Sequence, residues 1–188
     1  MILLIGKTAS GKDTILNEIV KLGYKKLVTY TTRPMRTGEV DGVNYHYISR
    51  ENFLSKEANG FFAETTSYNV ASGDTWYYGS AIEDYDKDKV MIVNPDGIKQ
   101  ISKIQSLNPV VFYIQADEDV IRHRLSKRGD NPSEAERRMM ADDRDFFGID
   151  KYVDYFASNN GLFLPGAIAD EIVKLYKKHN ENLREDLS

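Results

Sequence analysis

The stretch Gly6-Lys7-Thr8-Ala9-Ser10-Gly11-Lys12 decides the fold of this chain, because of the residues that stand on either side of it. The apolar run 2–5 before it is typical of a strand buried on both faces, as in a parallel sheet. After it, apolar residues recur at helical spacing from Ile15 to Leu22, and Gly23 predicts the end of that helix. A glycine-rich loop between a strand and a helix indicates a phosphate site, since successive backbone N–H groups point at the phosphate oxygens.

Lys12 favours this interpretation over a glycine-rich turn that binds no ligand. A lysine at the start of the helix reaches the β- and γ-phosphates of a nucleotide as a point charge. Ser or Thr usually follows it and binds Mg²⁺ through the hydroxyl, whereas this chain has Asp13 and then Thr14. Thr14 lies about 100° further around the helix and is not expected to replace that hydroxyl. Asp13 is a candidate Mg²⁺ ligand, because carboxylates bind hard cations directly or through water.

Short apolar runs alternate with helical patterns along the rest of the chain. Strands are predicted over residues 26–30, 90–93, 110–114 and 153–157, and helices over residues 120–125 and 167–176. Together with the first strand, this alternation predicts an α/β fold with a mostly parallel five-stranded sheet flanked by helices.

Two stretches interrupt the alternation. Residues 34–80 are rich in Tyr, Gly, Thr and Glu, and we expect them to form a small inserted lobe. Residues 127–145 are dense in both signs of charge, which predicts a mobile helical segment on the surface. We therefore expect a single domain over residues 1–188, with its core formed by 1–33, 81–126 and 146–188.

Composition excludes several classes of protein. A chain of 188 residues has room for one full core with small lobes, and not for two ordinary domains. The net charge of −4 argues against general nucleic-acid or membrane binding. The absence of cysteine excludes disulfides, zinc-thiolate sites and cysteine nucleophiles. Because no apolar run approaches the roughly 20 residues that span a bilayer, and no signal peptide is recognisable, we expect a cytoplasmic location.

A second motif begins with Thr31-Thr32-Arg33-Pro34-Met35-Arg36 and continues through Gly38-Glu39 and Gly42 to Tyr45. Two arginines three residues apart, with hydroxyl groups before them and a tyrosine beyond, suit a compact anion. Guanidinium groups bind phosphate through two parallel charge-assisted hydrogen bonds. Taken alone, the motif is equally consistent with two surface arginines in a turn.

This motif resembles the acceptor block of the guanylate kinase family, and it lies at the family's distance after the phosphate loop. Later features that resemble the family in the same order are Glu64 after Phe61-Phe62-Ala63, the block Tyr77-Tyr78-Gly79-Ser80, Asp96, Arg124-Leu125, Arg128-Gly129, Arg138 and Ser158-Asn159-Asn160. The resemblance covers nearly the whole chain. It implies a P-loop kinase in which residues 34–80 bind the nucleoside monophosphate and residues 127–145 form a lid.

The resemblance also implies a role for individual residues. ATP, the phosphoryl donor, would be held by Gly6, Lys7, Thr8, Ala9, Ser10, Gly11, Lys12, Asp13 and Thr14, with Asn159 near the adenine. The phosphate of GMP or dGMP would be held by Arg33, Arg36, Tyr45 and Tyr78, and its base would be surrounded by Thr29, Glu64, Ser80 and Asp96. Catalytic roles are implied for Lys12, Arg33, Arg128 and Arg138, and Mg²⁺ would be held near Asp13 and Asp96.

The chemistry of guanine agrees with the role implied for Glu64. Guanine offers N1–H and N2–H₂ as adjacent donors, and one carboxylate can accept both. Adenine presents an acceptor at N1 and would leave the carboxylate unpaired, at a cost of about 1–3 kcal/mol. The resemblance thus implies an ATP-dependent kinase for GMP or dGMP, a monomer or homodimer whose partners are these small molecules.

Two departures from the family leave alternatives open. The family has Asp-x-Asp where this chain has Asn94-Pro95-Asp96, and the connection 68–76 is longer than usual. A kinase for a different (deoxy)nucleoside monophosphate is one alternative. A binding module without activity is the other, and the presence of Lys12, Arg33 and Arg36 favours an enzyme over it.

Overall fold

The computed structural model describes residues 1–70 and 73–185, and these residues form two compact units. The first unit comprises Met1–Lys26, Lys87–Pro95 and the chain from Pro109 onward. The second unit comprises Leu27–Asp86 and Asp96–Asn108. The predicted lobe 34–80 lies within the second unit, together with residues 27–33, and the predicted lid 127–145 lies within the first. The functional division of the chain into core, lobe and lid stays a prediction.

Strands and helices alternate through most of the described chain. The strands are β1 (Ile2–Ile5), β2 (Lys25–Lys26), β3 (Tyr30–Thr31), β4 (His46–Tyr47), β5 (Phe62–Asn69), β6 (Thr75–Ala81), β7 (Lys89–Ile92), β8 (Val110–Gln115) and β9 (Tyr155–Ser158). The helices are α1 (Lys12–Lys21), α2 (Arg50–Ala58), α3 (Pro95–Ile101), α4 (Glu118–Arg128), α5 (Pro132–Asp145) and α6 (Pro165–Glu185).

The first unit is built on a five-stranded sheet in the order β2-β7-β1-β8-β9. Every neighbouring pair of its strands is parallel. Strand β1 lies in the middle of the sheet and is fully buried, as its unbroken apolar run predicts. Helices α1 and α6 pack against each other and cover one face with Ile15, Ile19, Ile168 and Ile172. The predicted α/β fold with a mostly parallel five-stranded sheet is confirmed.

The strand predicted over residues 26–30 is wrong, because that stretch contributes to two different sheets. Lys25 and Lys26 pair in parallel with β7, whereas Tyr30 and Thr31 pair with β4 and β6. Leu27, which is 1% exposed, belongs to neither strand. An apolar pattern reports that residues are buried and extended, and it does not identify the strand that pairs with them.

The second unit contains a four-stranded mixed sheet in the order β4-β3-β6-β5. Its longest pairing is the antiparallel hairpin of β5 and β6, which places Glu64 opposite Ser80 and Thr66 opposite Tyr78. The ends of the connection 68–76 continue this ladder, with Asn69 opposite Thr75. Ala71 and Ser72, at the centre of that connection, lie outside the described residues.

Helix α5 confirms the helical part of the segment predicted over residues 127–145. Gly129, at a φ of 80°, ends α4, and the side chain of Asn131 caps α5 by accepting hydrogen bonds from the N–H groups of Ser133 and Glu134. Pro132 follows in the first turn, where its missing N–H costs nothing. Among the residues that the structure describes, no helix is long and apolar enough to cross a membrane.

Candidate active site

Two glycines give the phosphate loop its shape. A Cβ atom on Gly6 would lie 2.4 Å from the backbone oxygen of Ile114 and 2.8 Å from Oγ of Ser10. Gly11 has a φ of +93°, and a Cβ there would lie 2.3 Å from Nδ2 of Asn159. Larger residues at either position would collide with groups that hold the loop in place, so the tight turn around a phosphate requires both glycines.

The carbonyl groups of the loop are held by two side chains from later in the sequence. Asn159 is buried, and its Nδ2 donates to the carbonyl of Ser10 at 2.7 Å. Arg124 donates from Nη1 to the carbonyls of Ala9 and Ser10, and from Nη2 to the carbonyl of Asn159 at 2.7 Å. Carbonyls bound in this way point away from an anion, which leaves the N–H groups to face it.

Lys12 lies across the loop at the start of α1. Its Nζ donates to the carbonyl of Lys7 at 2.8 Å and approaches Oγ of Ser10 at 3.5 Å. Burial lowers the pKa of Lys12, while the nearby carboxylates of Asp13 and Asp142 act in the opposite direction. The ammonium group is therefore partly desolvated, which strengthens its attraction for an incoming phosphate.

Helix α5 brings two carboxylates onto the same loop. The backbone N–H of Thr8 donates to Oδ2 of Asp142 at 2.6 Å, and Nζ of Lys7 forms an ion pair with Asp143. Burial raises the pKa of Asp142, against the hydrogen bond from Thr8 and the positive charges of Lys12 and Lys7. Asp142 thus binds a loop N–H of the kind that a phosphate oxygen would bind.

A cleft with a cavity volume of 270 Å³ opens beside the loop in the first unit. Its lining residues are Lys7, Tyr113, Ile114, Gln115, Ala116, Asp117, Ser158 and Asn160. Asn160 also accepts a hydrogen bond from the N–H of Asp117. Asn159, which was expected near the adenine, supports the loop backbone instead of lining this cleft. Its predicted contact with ATP stays a prediction.

The two predicted lid arginines share a carboxylate. Arg128 forms an ion pair with Asp130 at 2.6 Å, and Arg138 lies 3.8 Å from the same side chain. Arg138 also donates from Nε to Glu134 at 2.9 Å, one helical turn away. The structure therefore brings Arg128 and Arg138 together around Asp130, and their contacts with donor phosphates stay predictions.

Arg33 is the centre of a cluster in the second unit. It is buried, with Nη2 donating to Oε1 of Glu39 at 2.7 Å and Nη1 donating to the carbonyl of Pro34. Its guanidinium carbon lies 5.4 Å from the ring centre of Tyr45 and 5.8 Å from that of Tyr47. Two tyrosine rings and a carboxylate therefore fix the orientation of this cation.

Glu39 connects this cation to the loop that follows it. Its Oε2 accepts hydrogen bonds from the backbone N–H of Arg36 at 2.7 Å and from the hydroxyl of Tyr47 at 2.8 Å. The hydrogen bond from Arg33, followed by that from the Arg36 N–H, lowers the pKa of Glu39 to about 2. Glu39 is therefore ionised at neutral pH.

The other residues expected at the acceptor phosphate are partly assembled around Arg33. The ring of Tyr78 on β6 packs edge-on against Tyr45, with 5.9 Å between ring centres. The side chain of Arg36 is exposed to solvent. The structure thus brings Arg33, Tyr45 and Tyr78 into one cluster. Arg36 is joined to this cluster through its backbone N–H, which donates to Glu39.

Glu64 and Ser80 form a second cluster further along the same hairpin. Both are buried, and Oγ of Ser80 donates to Oε1 of Glu64 at 2.9 Å. The hydroxyl of Tyr85 lies 2.8 Å from the same Oγ. Ser80 and Tyr78 are two residues apart on β6, so their side chains point to the same face of the sheet, about 7 Å apart along the strand. The base and phosphate contacts implied by the sequence therefore share one surface.

Two residues expected at the base have other contacts. Thr29 is half-buried, and its carbonyl accepts a hydrogen bond from the N–H of His46 at 2.9 Å. Asp96 is exposed at the start of α3 and forms an ion pair with Lys99 at 2.9 Å. The structure does not bring Asp96 into hydrogen-bond contact with Glu64 or Ser80 among the contacts of the described residues.

The carboxylates expected to bind Mg²⁺ are single side chains and not a cluster. Within residues 1–70 and 73–185, no group of three or more His, Cys, Asp or Glu side chains could hold a metal ion. Asp13 is exposed in the first turn of α1, next to Lys12. Because Mg²⁺ is usually held by one or two carboxylates together with water and substrate phosphates, Asp13 fits this ion as a ligand.

The family model for guanylate kinase matches residues 1–162. The chain belongs to the guanylate kinase family. The guanylate kinase of Symbiobacterium thermophilum is 30% identical over 165 residues, which cover 86% of this chain and 78% of that protein. The guanylate kinase of Clostridioides difficile is 29% identical over 199 aligned residues, which cover 100% of this chain and 97% of that protein.

A crystal structure of guanylate kinase from Anaplasma phagocytophilum has a similar fold, with a TM-score of 0.61 and 22% sequence identity. The similarity covers 95% of this chain and 85% of that chain. The fold of this chain thus occurs in a solved guanylate kinase.

Sequence reasoning assigned no role to four residues at these sites: Arg124, Asp142, Glu39 and Tyr85. Arg124 and Asp142 act from helices distant in the sequence, and a charged helix is by default expected to face solvent. Glu39 belongs to the motif, and a carboxylate three residues after Arg36 is a recognisable partner for either arginine. For Tyr85 the sequence carried no signal, because tyrosines commonly pack in a core.

Proposed function

We propose that this protein transfers the γ-phosphoryl group of ATP to GMP or dGMP, producing ADP and the corresponding guanosine diphosphate. The observation that carries the proposal is the buried pair of Glu64 and Ser80 on the sheet that also carries the Arg33 cluster. On this sheet, Glu64 provides a carboxylate for binding a base and Arg33 provides a guanidinium for binding a phosphate. Membership of the guanylate kinase family supports it.

The first unit is proposed to bind the donor nucleotide. The N–H groups between Gly6 and Gly11 and the ammonium of Lys12 would hold its phosphates, and the cleft lined by Asn160 has room for other parts of the nucleotide. Arg128 and Arg138 are proposed to exchange Asp130 for the phosphates, since an arginine prefers a doubly charged oxygen group in a bidentate contact.

The second unit is proposed to bind the acceptor nucleotide. Arg33 and Arg36, with the hydroxyls of Tyr45 and Tyr78, would hold its phosphate, while Glu64 accepts from N1–H and N2–H₂ of guanine. An ionised carboxylate has about four acceptor positions, so Glu64 keeps capacity for guanine while it accepts from Ser80. Thr29 and Asp96 stay proposed base contacts.

The transfer itself needs positioning and charge neutralisation. A phosphate oxygen of the acceptor forms a bond to the γ-phosphorus, and the bond from that phosphorus to the β–γ bridging oxygen breaks, with ADP as the leaving group. The acceptor phosphate is already an anion, so no general base is required. Lys12, Arg33, Arg128 and Arg138 are proposed to stabilise the charge that spreads over the transferred group.

Mg²⁺ is proposed to accompany ATP, with Asp13 as its protein ligand, directly or through water. When bound, the ion supplies positive charge between the donor phosphates. The carboxylate of Asp96, the second candidate, forms an ion pair with Lys99 in the second unit, so Asp96 is the weaker candidate for binding Mg²⁺.

The partners proposed for this protein are ATP and GMP or dGMP, in the cytoplasm and without nucleic acid or membrane. The net charge of −4 supports this, because an excess of acidic over basic groups does not favour general binding to a polyanion. A monomer or a homodimer is compatible with the proposal.

The test is ADP release from Mg-ATP with GMP, dGMP, AMP, CMP, UMP and dTMP offered separately. We expect turnover with GMP or dGMP, and a loss of about 10³-fold or more for Lys12→Ala, because the ammonium group that lies across the loop is lost from the phosphates. Lys21→Ala, on the exposed end of the same helix, is the matched control and should keep full activity.

Each alternative makes a different prediction in this assay. Turnover with AMP and not with GMP would contradict the role of Glu64 and indicate a kinase for a different monophosphate. Binding of GMP without turnover of any nucleotide would indicate a binding module. Activity retained in Lys12→Ala would contradict the assignment of the phosphate loop.

A further inference from the structure

The hydroxyl of Tyr85 is unexplained by the functions assigned above. Tyr85 follows the short helical turn Ile82–Asp84, which comes directly after β6 and ends with a hydrogen bond from the Tyr85 N–H to the carbonyl of Ile82. This turn carries the ring back toward the strand, where its hydroxyl lies 2.8 Å from Oγ of Ser80. A hydroxyl is thus hydrogen-bonded to the partner of the proposed guanine carboxylate.

The direction of these hydrogen bonds follows from the number of protons. A serine hydroxyl has one proton, and that of Ser80 is donated to Oε1 of Glu64 at 2.9 Å. An ionised carboxylate only accepts, so it cannot return a proton to Ser80. The hydrogen bond between Tyr85 and Ser80 must then be donated by Tyr85. The result is a chain in which Tyr85 donates to Ser80 and Ser80 donates to Glu64.

We propose that Tyr85 is a positioning residue for guanine recognition, which acts through Ser80 to keep the carboxylate of Glu64 ionised and fixed as an acceptor. The proposal rests on the proposed function, since it concerns how the acceptor base is selected. Chained hydrogen bonds polarise one another, so a donor to Ser80 strengthens the bond from Ser80 to Glu64. A protonated Glu64 would have lost an acceptor for N1–H and N2–H₂ of guanine.

Burial of the site makes this contribution necessary. Burial raises the pKa of Glu64, and the hydroxyl and N–H of Ser80 lower it. Burial also raises the pKa of Tyr85, with a smaller rise from the charge of Glu64, so Tyr85 keeps the proton that it donates. Without Tyr85, the balance at Glu64 shifts toward the protonated form.

The charged groups on the helices packed against β5 have other partners. Asp96 and Lys99 of α3 form an ion pair at 2.9 Å. Glu57 of α2 accepts a hydrogen bond from the hydroxyl of Thr65, and Nζ of Lys56 lies over an aromatic ring. The hydrogen-bonded chain from Tyr85 is therefore the described route by which the structure stabilises the ionised form of Glu64.

The experiment compares Tyr85→Phe with the wild-type protein. We expect KM for GMP to rise about two- to tenfold, the range for one lost hydrogen bond, while kcat and KM for ATP stay nearly constant. We also expect the pKa of the Glu64 carboxyl, followed by ¹³C NMR without nucleotide, to rise. Because Glu64 must be ionised to accept from guanine, the acid limb of kcat/KM for GMP should move to higher pH by the same amount.

Tyr77→Phe is the matched control, since Tyr77 lies on β6 with Ser80 and its hydroxyl contacts only the exposed Arg50, at 3.2 Å, in the described contacts. It should leave KM for GMP and the Glu64 titration unchanged. Ser80→Ala tests whether Tyr85 acts through Ser80. If it does, adding Tyr85→Phe to Ser80→Ala should not raise KM for GMP further. Thermal unfolding of each variant reports its folding.

Several outcomes would overturn the proposal. One is that Tyr85→Phe leaves the titration of Glu64 unchanged. Another is that Tyr85→Phe lowers kcat and changes KM for ATP as well as KM for GMP. A third is that Tyr85→Phe raises KM for GMP as much in Ser80→Ala as it does in the wild type. The NMR titration separates this proposal from the proposed function. Absence of GMP turnover by the wild type would refute the function, whereas an unmoved Glu64 titration would refute the role of Tyr85.

Discussion

Gly6 shows how a single residue determines the shape of the phosphate loop. It has no side chain because a carbonyl of β8 and the hydroxyl of Ser10 already occupy that space. Ile114 lies in β8, where it pairs with Ala157 of β9, so its backbone oxygen cannot move without disturbing the sheet. A flexible side chain at the same distance would give way, whereas a backbone atom of a central strand does not.

Gly6→Ala should therefore destabilise the protein by about 1–3 kcal/mol, as overpacking in a rigid core does. Chemical denaturation with urea measures the change. Gly166→Ala is the control, because a Cβ there would meet only the side chain of Glu18 at an ordinary 3.7 Å. In the helical backbone of α6, it should be neutral or stabilising by up to about 1 kcal/mol. Equal stability of the two variants would contradict the geometry assigned to the loop.

At the scale of elements, helix α5 carries both a residue proposed to bind phosphate and carboxylates that contact the phosphate loop. Its Arg138 is proposed to bind the donor phosphates, yet its Asp142 and Asp143 bind Thr8 and Lys7 of the loop in the described structure. A carboxylate on a loop N–H competes with phosphate, because both bind the same donor and repel each other. The helix thus has to release at least Asp142 when phosphate binds there.

Asp142→Ala should lower the dissociation constant of ATP about three- to tenfold, since a competing hydrogen bond and a negative charge are lost together. Isothermal titration calorimetry with Mg-ATP measures it. Asp145→Ala, exposed at the end of the same helix, removes an equal charge without touching Thr8 and should have a much smaller effect. Weaker binding in Asp142→Ala would show that this carboxylate supports the ATP site.

Elements differed in how far their sequences predicted them. Strand β1 and helix α1 follow from an apolar run, a glycine-rich loop and helical spacing, all of which are local. The single strand predicted over residues 26–30 was wrong, because Lys25–Lys26 pair with residues 64 positions away and Tyr30–Thr31 with residues 16 positions away, in different sheets. The roles of Asp142 and Arg124 were not predicted for the same reason, since their contacts with the loop join distant parts of the sequence.

At the scale of the whole molecule, the candidate donor and acceptor residues belong to different units. The phosphate loop and α5 lie in the first unit, whereas the Arg33 cluster and Glu64 lie in the second. Each unit has its own sheet, so each can hold its set of side chains in place independently. The two nucleotides are therefore expected to stabilise different parts of the chain.

Hydrogen exchange followed by mass spectrometry tests this division. A non-hydrolysable ATP analogue should slow exchange in residues 6–14, and GMP should slow it in residues 33–47 and 62–81, because a bound ligand suppresses local opening. In Lys12→Ala, protection by the ATP analogue should disappear while protection by GMP persists. Protection of the phosphate loop by GMP alone would contradict the assignment of one nucleotide to each unit.

The sequence by itself determined the parallel α/β fold, the phosphate loop and the family, because each depends on short motifs whose chemistry is local. Through the family resemblance it also predicted that Arg33, Tyr45, Tyr78, Glu64 and Ser80 belong to one binding site, which stays a prediction. Only the tertiary structure decided which groups hold the sites in place: Glu39 binds Arg33, Tyr85 binds Ser80, and Arg124 and Asp142 bind the phosphate loop. Such contacts form when strands and helices distant in the sequence pack together, and no local pattern of residues encodes that pairing.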